Sequence, residues 1–88
     1  RAPHLAAIIV GEDPASQFYV KSKEKACRSV GMTSSLYKQS EKISETELLE
    51  IIDFLNNDPD VDGFIVQLPL PKHINVDSVI NKIDPSKD

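Results

Sequence analysis

Four side chains in this sequence could together hold a flat polar ring and move a proton. They are the hydroxyl of Ser16, the phenol of Tyr19, the amine of Lys23 and the amide of Gln67. Ser16, Tyr19 and Lys23 are spaced i, i+3 and i+7, one stripe of a helix aimed at one place. If Pro14 to Val30 is helical, steps of about 100° per residue put Tyr19, Lys23, Ala26, Cys27 and Val30 on one mostly apolar face. Lys21, Glu24, Lys25 and Arg28 then project from the opposite side. A lysine among apolar neighbours loses hydration, which disfavours its charged form and suits it to proton exchange. The alternative is that Lys23 snorkels, burying its stem and keeping the amine wet. For Tyr19 the alternative is a core ring with a wet tip, and for Gln67 a strand-end amide bonded to loop backbone.

Elements that bring these groups together are legible nearby. Leu5 to Val10 is a continuous apolar run, as expected of a strand covered on both faces. Asp13 is placed to cap the helix that follows, with Pro14 at its first position and Gly31 as its stop. Thr33 to Lys38 reads as a short strand near a sheet edge. Ser44-Glu45-Thr46-Glu47 has capping-box spacing, and Leu48, Ile51, Ile52 and Leu55 form the stripe of a second helix. Gly63 to Gln67 is a second buried strand, ended by Leu68-Pro69-Leu70-Pro71, because proline lacks a ladder donor. Asn75 or Asp77 starts a third helix through Val79 and Ile80. This alternation predicts an α/β fold, three-layer α/β/α around a parallel sheet with right-handed crossovers. Ligands of such sheets bind beyond the carboxyl ends of the strands, where Ser16 and Gln67 both fall.

Composition narrows the partners. Eighty-eight residues make one small domain, with 40% hydrophobic and 27% charged residues. A net charge of −4 offers no basic footprint for nucleic acid or an anionic membrane, and no apolar run is long enough to span a bilayer. A lone cysteine fits a reducing compartment. With no initiator Met and a polar, turn-like end at Pro85-Ser86-Lys87-Asp88, the chain reads as a piece of a longer protein.

Val10-Gly11-Glu12-Asp13-Pro14-Ala15-Ser16, Tyr19-Val20-Lys21-Ser22-Lys23 and Gly63-Phe64-Ile65-Val66-Gln67-Leu68-Pro69-Leu70-Pro71 closely resemble the bifunctional methylenetetrahydrofolate dehydrogenase/cyclohydrolase family. The likeness extends through Leu55-Asn56-Asn57 and the terminal Pro85 to Asp88. It implies that residues 1–88 are part of the N-terminal, folate-binding catalytic domain, without the dinucleotide-binding domain. Lys23 would then be the catalytic residue for hydrolysis of the methenyl bridge to 10-formyltetrahydrofolate, with Gln67 beside it tuning its protonation. Tyr19 would pack on the pterin, Val66, Leu68 and Pro69 would line its slot, and Ser16 would face the cofactor side. The resemblance further implies NADP or NAD as hydride acceptor and tetrahydrofolate derivatives as substrates. It implies a homodimer in the cytoplasm, or in the mitochondrial matrix of a eukaryote, and an isolated fragment that oxidises nothing. A catalytically silent folate-binding or interaction domain is the rival reading, against which the joint presence of Tyr19, Lys23 and Gln67 speaks.

Two patterns mislead. Asp58-Pro59-Asp60-Val61-Asp62-Gly63 matches half of a calcium loop, but its twelfth position is Pro69, where a bidentate glutamate is needed. His4 and His73 have no second ligand at zinc spacing, so no metal is expected.

Overall fold

A computed structural model describes residues 2–87. Three parallel strands, β1 (His4–Val10), β2 (Thr33–Gln39) and β3 (Gly63–Val66), lie in the order β2-β1-β3. Leu5 pairs with Ser34 on one side and Gly63 on the other, so the apolar β1 is central and β2 is at an edge. Helices α1 (Pro14–Ser29), α2 (Glu45–Asn56) and α3 (Val76–Lys82) alternate with the strands, and a single turn of 3₁₀ helix, η1 (Pro85–Lys87), closes the described chain. The predicted α/β alternation with a parallel sheet is therefore present; η1 was not foreseen.

The helix ends follow the local chemistry. The Asp13 carboxylate accepts from the backbone N–H of Ala15 and Ser16, and Ser44 and Glu47 make the reciprocal capping box. Asn75 caps α3 through the N–H of Ser78. At the far end of α1, Met32 N–H donates to the Cys27 carbonyl and Gly31 N–H to that of Arg28, with Gly31 at φ +77°. Only glycine enters that left-handed region without a steric penalty, so the helix stops there. At η1 the Asp84 carboxyl is held below the usual carboxylate range, first by the Ser86 N–H and then by the Ser86 hydroxyl.

Alternate residues of β1 face opposite layers. Ala6, Ile8 and Val10 join Leu48, Ile52 and Leu55 of α2, Val79 and Ile83 around α3, and Phe64 and Val66 of β3 in the main core. The other face of β1, with Ile9, meets Val20 and Cys27 of α1. Helix α1 packs over β1 and β2, leaving the same face of β3 without a helix. On the opposite face, α2 and α3 pack together, and an open hollow of ≈ 600 Å³ lies over β2. The sheet thus has two uncovered quarters, diagonally opposed.

Candidate active site

The quarter over β3 is where the chemistry gathers. Strand β3 pairs with β1, so the turn after β3 leaves the sheet beside the turn that opens α1. Gln67 N–H donates to the Ile8 carbonyl, holding the strand end in register. Lys23, two turns into α1, donates from Nζ to Gln67 Oε1 at 3.2 Å. Gln67 Nε2 donates in turn to the Leu68 carbonyl at 3.2 Å, which orients the amide so that its oxygen faces the amine. The same carbonyl accepts from Ser16 Oγ at 3.0 Å. Leu68 oxygen is therefore a hub joining the first turn of α1 to the Gln67 side chain, across the cis Leu68–Pro69 turn.

One expectation needs correction. The buried stripe of α1 is Ser16, Val20 and Cys27, not Tyr19, Lys23, Ala26, Cys27 and Val30. At about 100° per residue, Lys23 lies roughly 40° and Tyr19 roughly 80° from the middle of that stripe. Lys23 is exposed, Tyr19 keeps 56% of its surface and Val30 70%. The cause is the seat of the helix. Sitting over β1 and β2, α1 presents Val20 to the sheet and its other flank to the open space over β3. The Lys23 stem still reaches inward, lining a small gap with Ala7, Cys27 and Ile65. This is the snorkelling geometry, with the head group turned to Gln67.

Not every expected residue meets at this place. Ser16 is 2% exposed and its hydroxyl is committed to Leu68, which makes it a structural tie. Val66 turns its side chain into the α2–α3 core, so only its backbone borders the slot. Leu68 and Pro69 are exposed at the rim, and Tyr19 stands edge-on to Phe18 with ring centroids 6.1 Å apart. Ser16→Ala should cost about 1 kcal/mol of stability, the usual worth of one hydrogen bond, since Gln67 Nε2 still donates to the Leu68 carbonyl. A shift in urea midpoint checks it; an unchanged midpoint would mean that Leu68 finds water instead.

The larger hollow over β2 has an apolar floor of Tyr37, Ile43, Ile51 and Phe54 with Glu47 and Glu50 beside it. Lys42 also lines this hollow, which lies across the sheet from Lys23 and Gln67. The aspartates of the calcium-like stretch shape the entry to β3: Asp58 accepts from Asp60 N–H and Asp62 from His4 N–H. His4 joins Ser35 Oγ at 2.6 Å and the Asp60 carbonyl at 3.0 Å, while His73 joins the Ile43 carbonyl. Among the described residues no group of three or more His, Cys, Asp or Glu could hold a metal, and no helix is long and apolar enough to cross a membrane.

The profile of the tetrahydrofolate dehydrogenase/cyclohydrolase catalytic domain matches residues 1–88. The chain belongs to that family. It is 58% identical over 88 residues to the bifunctional protein FolD of Christiangramia forsetii, spanning all of this chain and 29% of that one. The structure of the bifunctional FolD methylenetetrahydrofolate dehydrogenase/cyclohydrolase from Campylobacter jejuni superposes with TM-score 0.95 at 52% identity, over 97% of this chain and 30% of that one. The Trypanosoma brucei FolD, solved with NADP cofactor and inhibitor, gives TM-score 0.95 at 34% identity, over 100% of this chain and 30% of that one. The 88 residues thus span about 30% of the length of these family members. Asp88, the last residue of the family-like terminal stretch, lies outside the described residues. Among the ties that no motif pointed to is that of Lys87, whose Nζ donates to the carbonyls of Leu55, Asp58 and Val61.

Proposed function

We propose that residues 1–88 form part of the N-terminal catalytic domain of an enzyme that oxidises 5,10-methylenetetrahydrofolate and hydrolyses the resulting methenyl compound to 10-formyltetrahydrofolate. One observation carries this reading: the 3.2 Å contact between Lys23 Nζ and Gln67 Oε1 at the open quarter of the sheet, in a chain whose whole length matches the family. The slot offers a flat apolar strip at Ile65, a phenol at Tyr19, and an amine whose direction is set by an oriented amide. A pterin laid there would displace water from the amine, supplying the desolvation that the free slot lacks. Lys23 can then exchange a proton with the water that adds to the methenyl carbon and with the tetrahedral adduct as its carbon–nitrogen bond breaks. Tyr19, Leu68, Pro69 and the Val66 backbone hold the ring, and Ser16 fixes the turn that carries Gln67.

The hydride acceptor is NADP or NAD. The chain has three glycines, Gly11, Gly31 and Gly63, none in the spacing of a dinucleotide cradle, so its residues do not fit that cofactor and no hydride step is derived from them. The reading carries with it a cytoplasmic homodimer acting on tetrahydrofolate derivatives, both resting on likeness to the family. Its direct test is an assay of the full-length parent with 5,10-methylenetetrahydrofolate and NADP or NAD. Formation of reduced cofactor followed by loss of methenyl absorbance is expected, and a parent with neither activity would leave the silent-domain alternative. Gln67→Ala should further slow hydrolysis by about tenfold, because the amide that directs the Lys23 amine is gone. An unchanged rate would uncouple the two side chains.

A further inference from the structure

Helix α1 exposes two aromatic rings side by side. Phe18 keeps 68% of its surface and Tyr19 56%, although rings of this size gain most from burial. Their centroids lie 6.1 Å apart with the planes at 71°, an edge-to-face contact. Among the described residues no other ring meets either one, and the Tyr19 phenol has no hydrogen-bond partner. Only one of the two rings faces the slot. At about 100° per residue, Lys23 lies roughly 40° from the middle of the stripe that meets the sheet, Tyr19 roughly 80° and Phe18 roughly 180°. Lys23 reaches Gln67 at the end of β3, so this sense of rotation passes over the open quarter. Tyr19 stands at its flank. Phe18, one step further round, points away from the sheet and can neither line the slot nor join the core. The contact it makes is with the ring that does face the slot.

We infer that Phe18 is a positioning residue, which holds the Tyr19 ring in the orientation that receives the pterin. The inference rests on the folate reading above and adds a residue that acts only through Tyr19. A helical backbone leaves Tyr19 two staggered χ1 wells, because the third drives the ring into the preceding turn. An exposed side chain moves between such wells within nanoseconds. An edge-to-face pair favours the well in which it forms by about two- to tenfold. A ligand that needs this well binds in proportion to the time the ring spends there, so Phe18 raises the affinity without touching the ligand. Tyr19 packs on the pterin in the substrate and in the transition state alike. Loss of its support therefore raises KM and leaves kcat in place. The pterin is common to the methylene and methenyl compounds, so both reactions share the effect.

The test compares the full-length parent with its Phe18→Ala and Phe18→Tyr variants in both reactions, oxidation of 5,10-methylenetetrahydrofolate and hydrolysis of the methenyl compound. Position 18 is exposed and alanine is the best helix former, so the fold is retained. Phe18→Ala should raise KM for the folate about threefold in both reactions, with kcat within about 1.5-fold of the parent. Phe18→Tyr keeps the ring edge and should keep the parental KM. In a Tyr19→Leu background the Phe18→Ala change should move KM by less than about 1.3-fold, since no ring is left to position. An unchanged KM in Phe18→Ala, a loss confined to kcat or to one reaction, or a raised KM in Phe18→Tyr would each overturn the positioning role. So would a full threefold effect in the Tyr19→Leu background, which would make Phe18 act by itself. In the free parent, nuclear Overhauser contacts between the Phe18 and Tyr19 ring protons are expected, and their absence would overturn the pairing whatever the enzyme does. A parent that shows those contacts and neither activity would instead remove the folate reading on which the inference stands.

Discussion

Lys23→Met in the full-length parent is expected to lower methenyl hydrolysis by at least about 100-fold while the fold stays intact. The size follows from the usual worth of a positioned proton-transfer group, about 10²–10⁴ in rate. Methionine keeps the length and the apolar stem that lines the gap with Ala7 and Ile65, and removes only the amine. Stability should change by less than about 0.5 kcal/mol, because the head group is exposed and its hydrogen bond is to the Gln67 side chain. That separation makes the experiment decisive: a slow enzyme with an unchanged melting curve assigns the amine to the reaction. Hydrolysis at the parental rate would remove Lys23 from the chemistry and leave its contact with Gln67 as a surface tie.

Lys87→Met should do the reverse, leaving the slot residues in place and costing the domain about 3 kcal/mol. Hydrogen bonds from a charged donor are worth about 1.5–3 kcal/mol each and do not add, so three of them on one ammonium support a figure at the top of that range. Lys87 closes the C-terminal end of α2 at the Leu55 carbonyl and the loop through Asp58 and Val61 that leads into β3. Its own carbonyl lies 3.2 Å from where a Cβ on Gly63 would stand, so a side chain there would push η1 back by a few tenths of an ångström. Lys87→Arg should recover less than half of the loss, because a planar guanidinium cannot point three N–H bonds at three converging carbonyls as an ammonium does. Urea unfolding of the three proteins reads this directly. A Lys87→Met midpoint equal to the parent's would mean that water replaces the ammonium at all three carbonyls.

Features that depend on a few consecutive residues were legible without coordinates. The caps at Asp13, Ser44 and Asn75, the stop at Gly31, the apolar run of β1 and the proline exit from β3 all follow from side chains within about one helical turn. The α/β alternation follows from them, and so does the meeting of Lys23 with Gln67, since parallel strands place their following turns on one edge. The seat of α1 on the sheet was not legible. Lys23 and Cys27 are both compatible with a buried face by periodicity, and only the choice of Val20 as the inward residue put the amine at the flank. The direction of Val66 into the α2–α3 core and the three carbonyls gathered by Lys87 had no local signal either.

Periodicity is a property of one segment, so it names a face of a helix to within a residue or so. Which of two neighbouring stripes meets the sheet depends on side chains dozens of positions away, here Leu68 bonding Ser16 and the strands offering room for Val20. Packing settles that choice because only one seat of the helix fills the space and pairs the inner carbonyl at once.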